Sequence, residues 1–123
     1  MSVKAPKLSG HLIVWLMDDR YCQETVILKD GNSVKIGTLV GRLSSEDKVV
    51  PFDPKGKDGS EKIVGAAIAP VTADGDDEEI VIVSNIALLR ANGIEWPDKI
   101  NDTEKKAAVA QLNSLGIKLK GVS

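Results

Sequence analysis

Ile94-Glu95-Trp96-Pro97-Asp98-Lys99-Ile100-Asn101-Asp102-Thr103-Glu104-Lys105-Lys106-Ala107-Ala108-Val109-Ala110-Gln111-Leu112-Asn113-Ser114-Leu115-Gly116-Ile117-Lys118-Leu119-Lys120 reads as a strand end, a proline stop, a capped helix, a glycine stop and a closing strand. Pro97 lacks an N–H for a ladder and biases Trp96 toward extended geometry. Asn101 offers an N-cap, and Glu104, three residues on, can reach back to it in a capping box. The acids Asp102 and Glu104 suit the positive end of the helix dipole. Ala108, Leu112 and Leu115 form one apolar stripe, and Lys106, Ala110 and Asn113 fall on the opposite side. Gly116 is placed for a left-handed C′ residue, with Ile117 folding back on Leu112. The alternation of Ile117-Lys118-Leu119-Lys120 then predicts a half-buried closing strand.

Working outward, the rest of the chain is β-like. Glu24-Thr25-Val26-Ile27-Leu28 is a β-branched run closed by the turn signal Lys29-Asp30-Gly31-Asn32. Val34, Ile36, Leu39, Val40 and Leu43 follow, punctuated by Gly37 and Gly41, where a bulge or a close backbone approach is expected. Val49-Val50-Pro51-Phe52-Asp53-Pro54 carries two prolines and predicts an edge strand running into a loop over residues 55–60. Val64-Gly65-Ala66-Ala67-Ile68 resumes the strand pattern. Ile80-Val81-Ile82-Val83 is a continuous apolar run that predicts a strand buried on both faces. Residues 85–92 are expected to form a helical turn before Gly93.

Residues 1–20 read as an N-terminal arm and residues 21–123 as one β-rich domain. Within the arm, Leu12-Ile13-Val14-Trp15-Leu16-Met17 is six apolar residues in a row, too short for a membrane span. Burying such a run yields about 9–18 kcal/mol gross, against about 6–12 kcal/mol for fixing six backbones. That balance is thin. The segment is either a core strand of its own subunit or an arm that orders only against a neighbour, by strand addition to a sheet edge.

Composition bounds the function. The 123 residues suit a single domain, and 42% hydrophobic with 28% charged residues suit a folded soluble one. Only 3% are aromatic, so the core must come from Val, Ile, Leu and Ala. The net charge of -2 comes without a basic patch in the sequence, which argues against direct nucleic-acid binding. Nothing approaches a membrane span, and the N-terminus lacks a signal-peptide layout. The single cysteine, Cys22, excludes an intrachain disulfide framework.

Chemistry is not in view. His11 stands without neighbours at ligand spacing, so no metal is expected there. Asp74-Gly75-Asp76-Asp77-Glu78-Glu79 places its glycine second, where a calcium loop needs it sixth, and reads as a solvated turn. With one His, one Cys and no phosphate loop, no nucleophile and base pair up, and neither an enzyme nor a cofactor is expected. Trp96 reads as a core or subunit-interface anchor.

The order Gly37-Thr38-Leu39-Val40-Gly41-Arg42-Leu43, Val50-Pro51-Phe52-Asp53-Pro54, Asp58-Gly59-Ser60, Val64-Gly65-Ala66-Ala67, then Trp96-Pro97 and the capped helix, resembles the lambda-type phage head decoration protein family. The likeness runs from about Glu24 to Leu119. It implies a β-clip-like, mainly β domain with a C-terminal helix, a closing strand and a flexible N-terminal arm. It also implies a homotrimer on the outside of the expanded head, at threefold and quasi-threefold points, that holds the phage major capsid protein together. The protein would assemble in the host cytoplasm and reside in the virion. The arm residues Leu12, Ile13, Val14, Trp15, Leu16 and Met17 would then be the capsid-binding segment. A second resemblance, to a lipoyl- or biotinyl-carrier hairpin, rests on Glu46-Asp47-Lys48-Val49 and would make Lys48 an acylated lysine. No second similar half follows in the chain, and Pro51 and Pro54 interrupt the hairpin.

Overall fold

Side-chain alternation builds the centre of the molecule. The computed structural model describes residues 12–16, 22–98 and 100–121, with the backbone alone at Val14 and Trp15. In chain order its strands are β1 (Ile13–Leu16), β2 (Gln23–Leu28), β3 (Ser33–Val34), β4 (Leu39–Arg42), β5 (Val49–Pro51) and β6 (Ile63–Ala67). There follow β7 (Val71–Thr72), β8 (Glu78–Val83), β9 (Ala87–Arg90), the helix α1 (Asp102–Ser114) and β10 (Ile117–Lys120). The fold is mainly β with one C-terminal helix and a closing strand, as the sequence predicts.

Strands β2, β5, β4, β6 and β8 form a closed barrel, sealed by the antiparallel β2–β8 ladder from Gln23 opposite Val83 to Leu28 opposite Glu78. Val26, Leu28, Val40, Val49, Ala67, Ile80 and Ile82 make its core, extended at one end by Val34 and Ala73 near the small β3–β7 ribbon. Two expectations need correction here. Strand β5 is not an edge: it lies between β4 and β2. The prolines permit this because Pro51 is its last residue, opposite Val40, and Pro54 is already beyond it. Nor is β8 buried on both faces, since Val81 is 36% exposed. A barrel strand has one inner face, and Ile80 and Ile82 occupy it.

A second layer covers the end of the barrel marked by Val83. Here β9 runs between β1, antiparallel to it, and β10, parallel to it. Helix α1 packs on β10 and β6. Their shared core joins Leu12, Leu39, Phe52, Ile63, Ala66, Val83, Ala87, Leu89, Ile94, Ala108, Leu112 and Ile117. The helical turn expected over residues 85–92 is instead strand β9 followed by a 3-10 turn over Ala91–Gly93. Ala87 and Leu89 point into the core while Arg90 is exposed, so pairing on both sides imposes the two-residue period.

The helix stops are those the sequence predicts. The Glu104 N–H donates to Asn101 Oδ1 at 2.7 Å and the Asn101 N–H to Glu104 Oε1 at 3.1 Å, a complete capping box. At the other end Gly116 has φ +85° and donates to the Asn113 carbonyl at 3.0 Å. The expected close approach is found at Gly37, φ +89°, where any Cβ would meet the Gly93 carbonyl oxygen at 1.9 Å. The Glu95 N–H donates to the Gly37 carbonyl at 2.9 Å. This crossing ties the segment before Trp96 to the barrel.

Candidate interaction surfaces

With no catalytic constellation expected, the candidate sites are surfaces. The first is the edge formed by β1. It is four residues long and pairs Ile13 with Leu89, Trp15 with Leu88 and Leu16 with Ala87, with a register shift between Ile13 and Trp15. The Arg90 N–H donates to the Leu12 carbonyl at 2.7 Å. Leu12 is fully buried, whereas Ile13 and Leu16 are half-buried. The described part of the arm therefore orders against β9 of its own chain. Met17 and His11 lie outside the described residues. Among the described residues β1 has a ladder partner on one side only, so its outer row of N–H and C=O groups is open to pairing.

The second surface surrounds Trp96. Its indole is half-buried and separates two grooves. One groove, between the indole and α1, is lined by Ala91, Asn92, Trp96, Lys105, Lys106 and Val109, with Asp102 at the helix start. It continues across Asn92 and Gly121 to Arg90 and Lys120. The other runs over Thr38, Pro51, Phe52 and Pro97. Lys105 holds its ammonium 5.6 Å from the centroid of the Trp96 ring, a cation–π contact. Trp96 thus packs against the core with part of its ring and presents the remainder.

Ion pairs gather at the opposite end of the barrel. Lys48 Nζ lies 2.7 Å from Asp77 and 3.5 Å from Glu46, and Glu46 is also paired with Lys29. Asp77 accepts from the Asp30 N–H at 2.8 Å, and Asp30 accepts from the Gly75 N–H at 2.7 Å. The β2–β3 turn, the β4–β5 loop and the acidic β7–β8 turn are stitched together in this way. The hydrogen bond from Lys48, then the one from the Asp30 N–H, holds the Asp77 carboxyl below its ordinary range. The bond to Lys29 does the same for Glu46, and the bond to Asp77 pushes the Lys48 ammonium up. Lys48 is therefore held in ion pairs to Asp77 and Glu46 at the base of β5. The acidic turn is tied to Asp30 and Lys48, and no group of His, Cys, Asp and Glu among the described residues could hold a metal ion.

Several contributors escape sequence reading. Gln111 faces β6, its Oε1 accepting from the Ile63 N–H at 2.8 Å and its Nε2 donating to the Glu61 carbonyl at 3.2 Å. Its amide acts as one residue of an extra strand. The available signal was a polar residue set between the buried Ala108 and Leu112. Arg90, Lys105 and Lys120 come from three separate elements, so only the fold brings them round one groove. Cys22 is buried, and its thiol donates to the Ile86 carbonyl at 3.2 Å. That bond braces Ile86 in left-handed backbone, φ +38°, a strained conformation for a β-branched residue.

No curated protein sequence matches the chain. A family model, described as bacteriophage lambda head decoration protein D, matches residues 2–117. Nearly the whole length is covered, from the arm through the barrel and α1 to the first residue of β10. The chain belongs to the family of the bacteriophage lambda head decoration protein D, structural proteins of the phage capsid.

Proposed function

We propose that the protein binds as a homotrimer to the outer surface of the expanded phage head, at threefold and quasi-threefold sites, and fastens neighbouring copies of the major capsid protein. The observation that carries this reading is the family match over residues 2–117. The short edge strand β1 supports a capsid-binding role for Leu12, Ile13, Val14, Trp15, Leu16 and Met17. Its gain on docking is close to its ordering cost, so a shell edge can compete for it. Trp96 serves as an anchor at an interface. One arm and one small face per subunit bind weakly, but three on a common body engage together, and effective concentration multiplies the grip.

Mixing the purified protein with expanded and unexpanded shells of its phage, then pelleting them, tests the reading. Binding to expanded shells alone is expected; equal binding to both removes the dependence on expansion. Sedimentation of the free protein should give three times the chain mass, and a monomer at all concentrations overturns the trimer. Removing residues 1–17 is expected to abolish shell binding while the trimer persists. Because Leu12 is buried in the core, thermal melting of this variant must show that the barrel still folds.

A further inference from the structure

The cations of the molecule are distributed unevenly in one respect. At the ion-paired end of the barrel they are compensated: Lys29 by Glu46, Lys48 by Asp77 and Glu46, and Arg42 by Asp47 and Glu24. Around Trp96 they are not. Arg90, Lys105, Lys106 and Lys120 line one continuous groove, two from each of its halves, with Asp102 as its single carboxylate. None of the four makes an ion pair among the described residues, and Lys105 spends its charge on the face of the indole. In a chain of net charge -2 this is a local excess of positive charge.

The Arg90 N–H donates to the Leu12 carbonyl, so the start of β1 lies beside Arg90. Residues 1–11 contain Lys4 and Lys7 and no acid, so by charge that segment is an unsuitable occupant for the groove.

We infer that the groove between Trp96 and α1 is a second capsid contact, built for an acidic segment of the shell protein. Carboxylates of that segment pair with Arg90, Lys106 and Lys120, while an aliphatic side chain lies on the exposed part of the Trp96 ring, rimmed by Ala91 and Val109. Arg90 suits bidentate carboxylate pairing, and the lysines act as point charges that steer encounter. The inference rests on the capsid reading and names the face and the chemistry through which it operates. It also assigns Trp96 to the shell interface, with β1 and the groove acting as neighbouring grips of one subunit.

The test uses the full chain carrying Lys106→Glu and Lys120→Glu together. Both positions are exposed, so the fold should survive, and sedimentation should show the same oligomer as the parent. Binding to expanded shells is expected to weaken by about tenfold or more per subunit contact, multiplied across the oligomer. The control reverses charge at the far end, with Asp74→Lys and Asp76→Lys, and should bind as the parent does. Parental affinity in the Lys106→Glu, Lys120→Glu protein overturns the groove contact while leaving shell binding in place. Tight binding of a short DNA duplex, lost in the same variant and competing with shells, would make the groove a nucleic-acid site and also overturn it. Failure of the parent itself to pellet with expanded shells would instead remove the capsid reading beneath the inference.

Discussion

The barrel and the layer that caps it are built on different terms. The barrel closes on itself: its five strands satisfy both neighbours, and its exposed end is neutralised by internal ion pairs. The capping layer is assembled from the two ends of the chain, β1 and β10, around the single strand β9. Among the described residues it leaves β1 with an open edge, Trp96 partly presented and four cations without carboxylate partners. Closure removes the edges that invite association, and openness supplies them. In this protein the two properties are divided between two layers.

The hardest way to break the division is to remove the pivot of the capping layer. Leu89 is fully buried at the centre of β9, opposite Ile13 on one side and Leu119 on the other. Leu89→Ala is expected to cost about 2–5 kcal/mol, measured by denaturant unfolding. Hydrogen exchange should then show β1 and β10 amides losing protection well before those of the β2–β8 ladder. Equal loss across both layers would mean that barrel and cap form one cooperative unit.

How much of this was legible in the sequence follows the same line. The helix, its capping box and its glycine stop were readable because each depends on residues within a few positions, Asn101 with Glu104 and Leu115 with Gly116. The interior place of β5 was not, because its prolines weigh against a central strand locally and only the closed ladder shows that Pro51 falls at the strand end. Strand β9 departs from the expected helical turn for a related reason. Ala87-Leu88-Leu89-Arg90 has good helix formers, and pairing with β1 and β10 overrides them. The acidic turn and the apolar arm were visible as segments. The cationic groove was invisible because Arg90, Lys105 and Lys120 converge only after folding.

A milder perturbation tests the seam between the layers. Gln111 joins α1 to β6 through both ends of its amide. Gln111→Ala leaves the Ile63 N–H and the Glu61 carbonyl to water or to nothing, at an expected cost of about 1–3 kcal/mol. Because the helix holds β10 and β10 flanks β9, the loss should raise exchange at β10 amides more than at β4. Unchanged protection at Ile63 would show that water replaces the amide without loss.

The smallest effect is sought at the ion-paired end, where exposure screens the charges. Asp77 and Glu46 have folded-state pKa values held below their ordinary ones by Lys48 and Lys29 respectively. The unfolded chain therefore takes up protons more readily as pH falls. The stabilisation is complete above the ordinary carboxylate range, about pH 4 to 4.5, and disappears as pH drops through the lower folded values. Lys48 has its pKa raised, so its contribution is complete below its ordinary value and fades only as pH climbs through the higher folded one. Thermal melting should accordingly show a shallow plateau near neutrality and a decline in acid. Lys48→Met should flatten part of that decline by removing the principal partner of Asp77. Its exchange signature should stay confined to the β2–β3 and β7–β8 turns, leaving β1, β9 and the affinity for shells untouched. A loss of shell binding in Lys48→Met would instead place this end of the barrel at the capsid and reverse the assignment of the two faces.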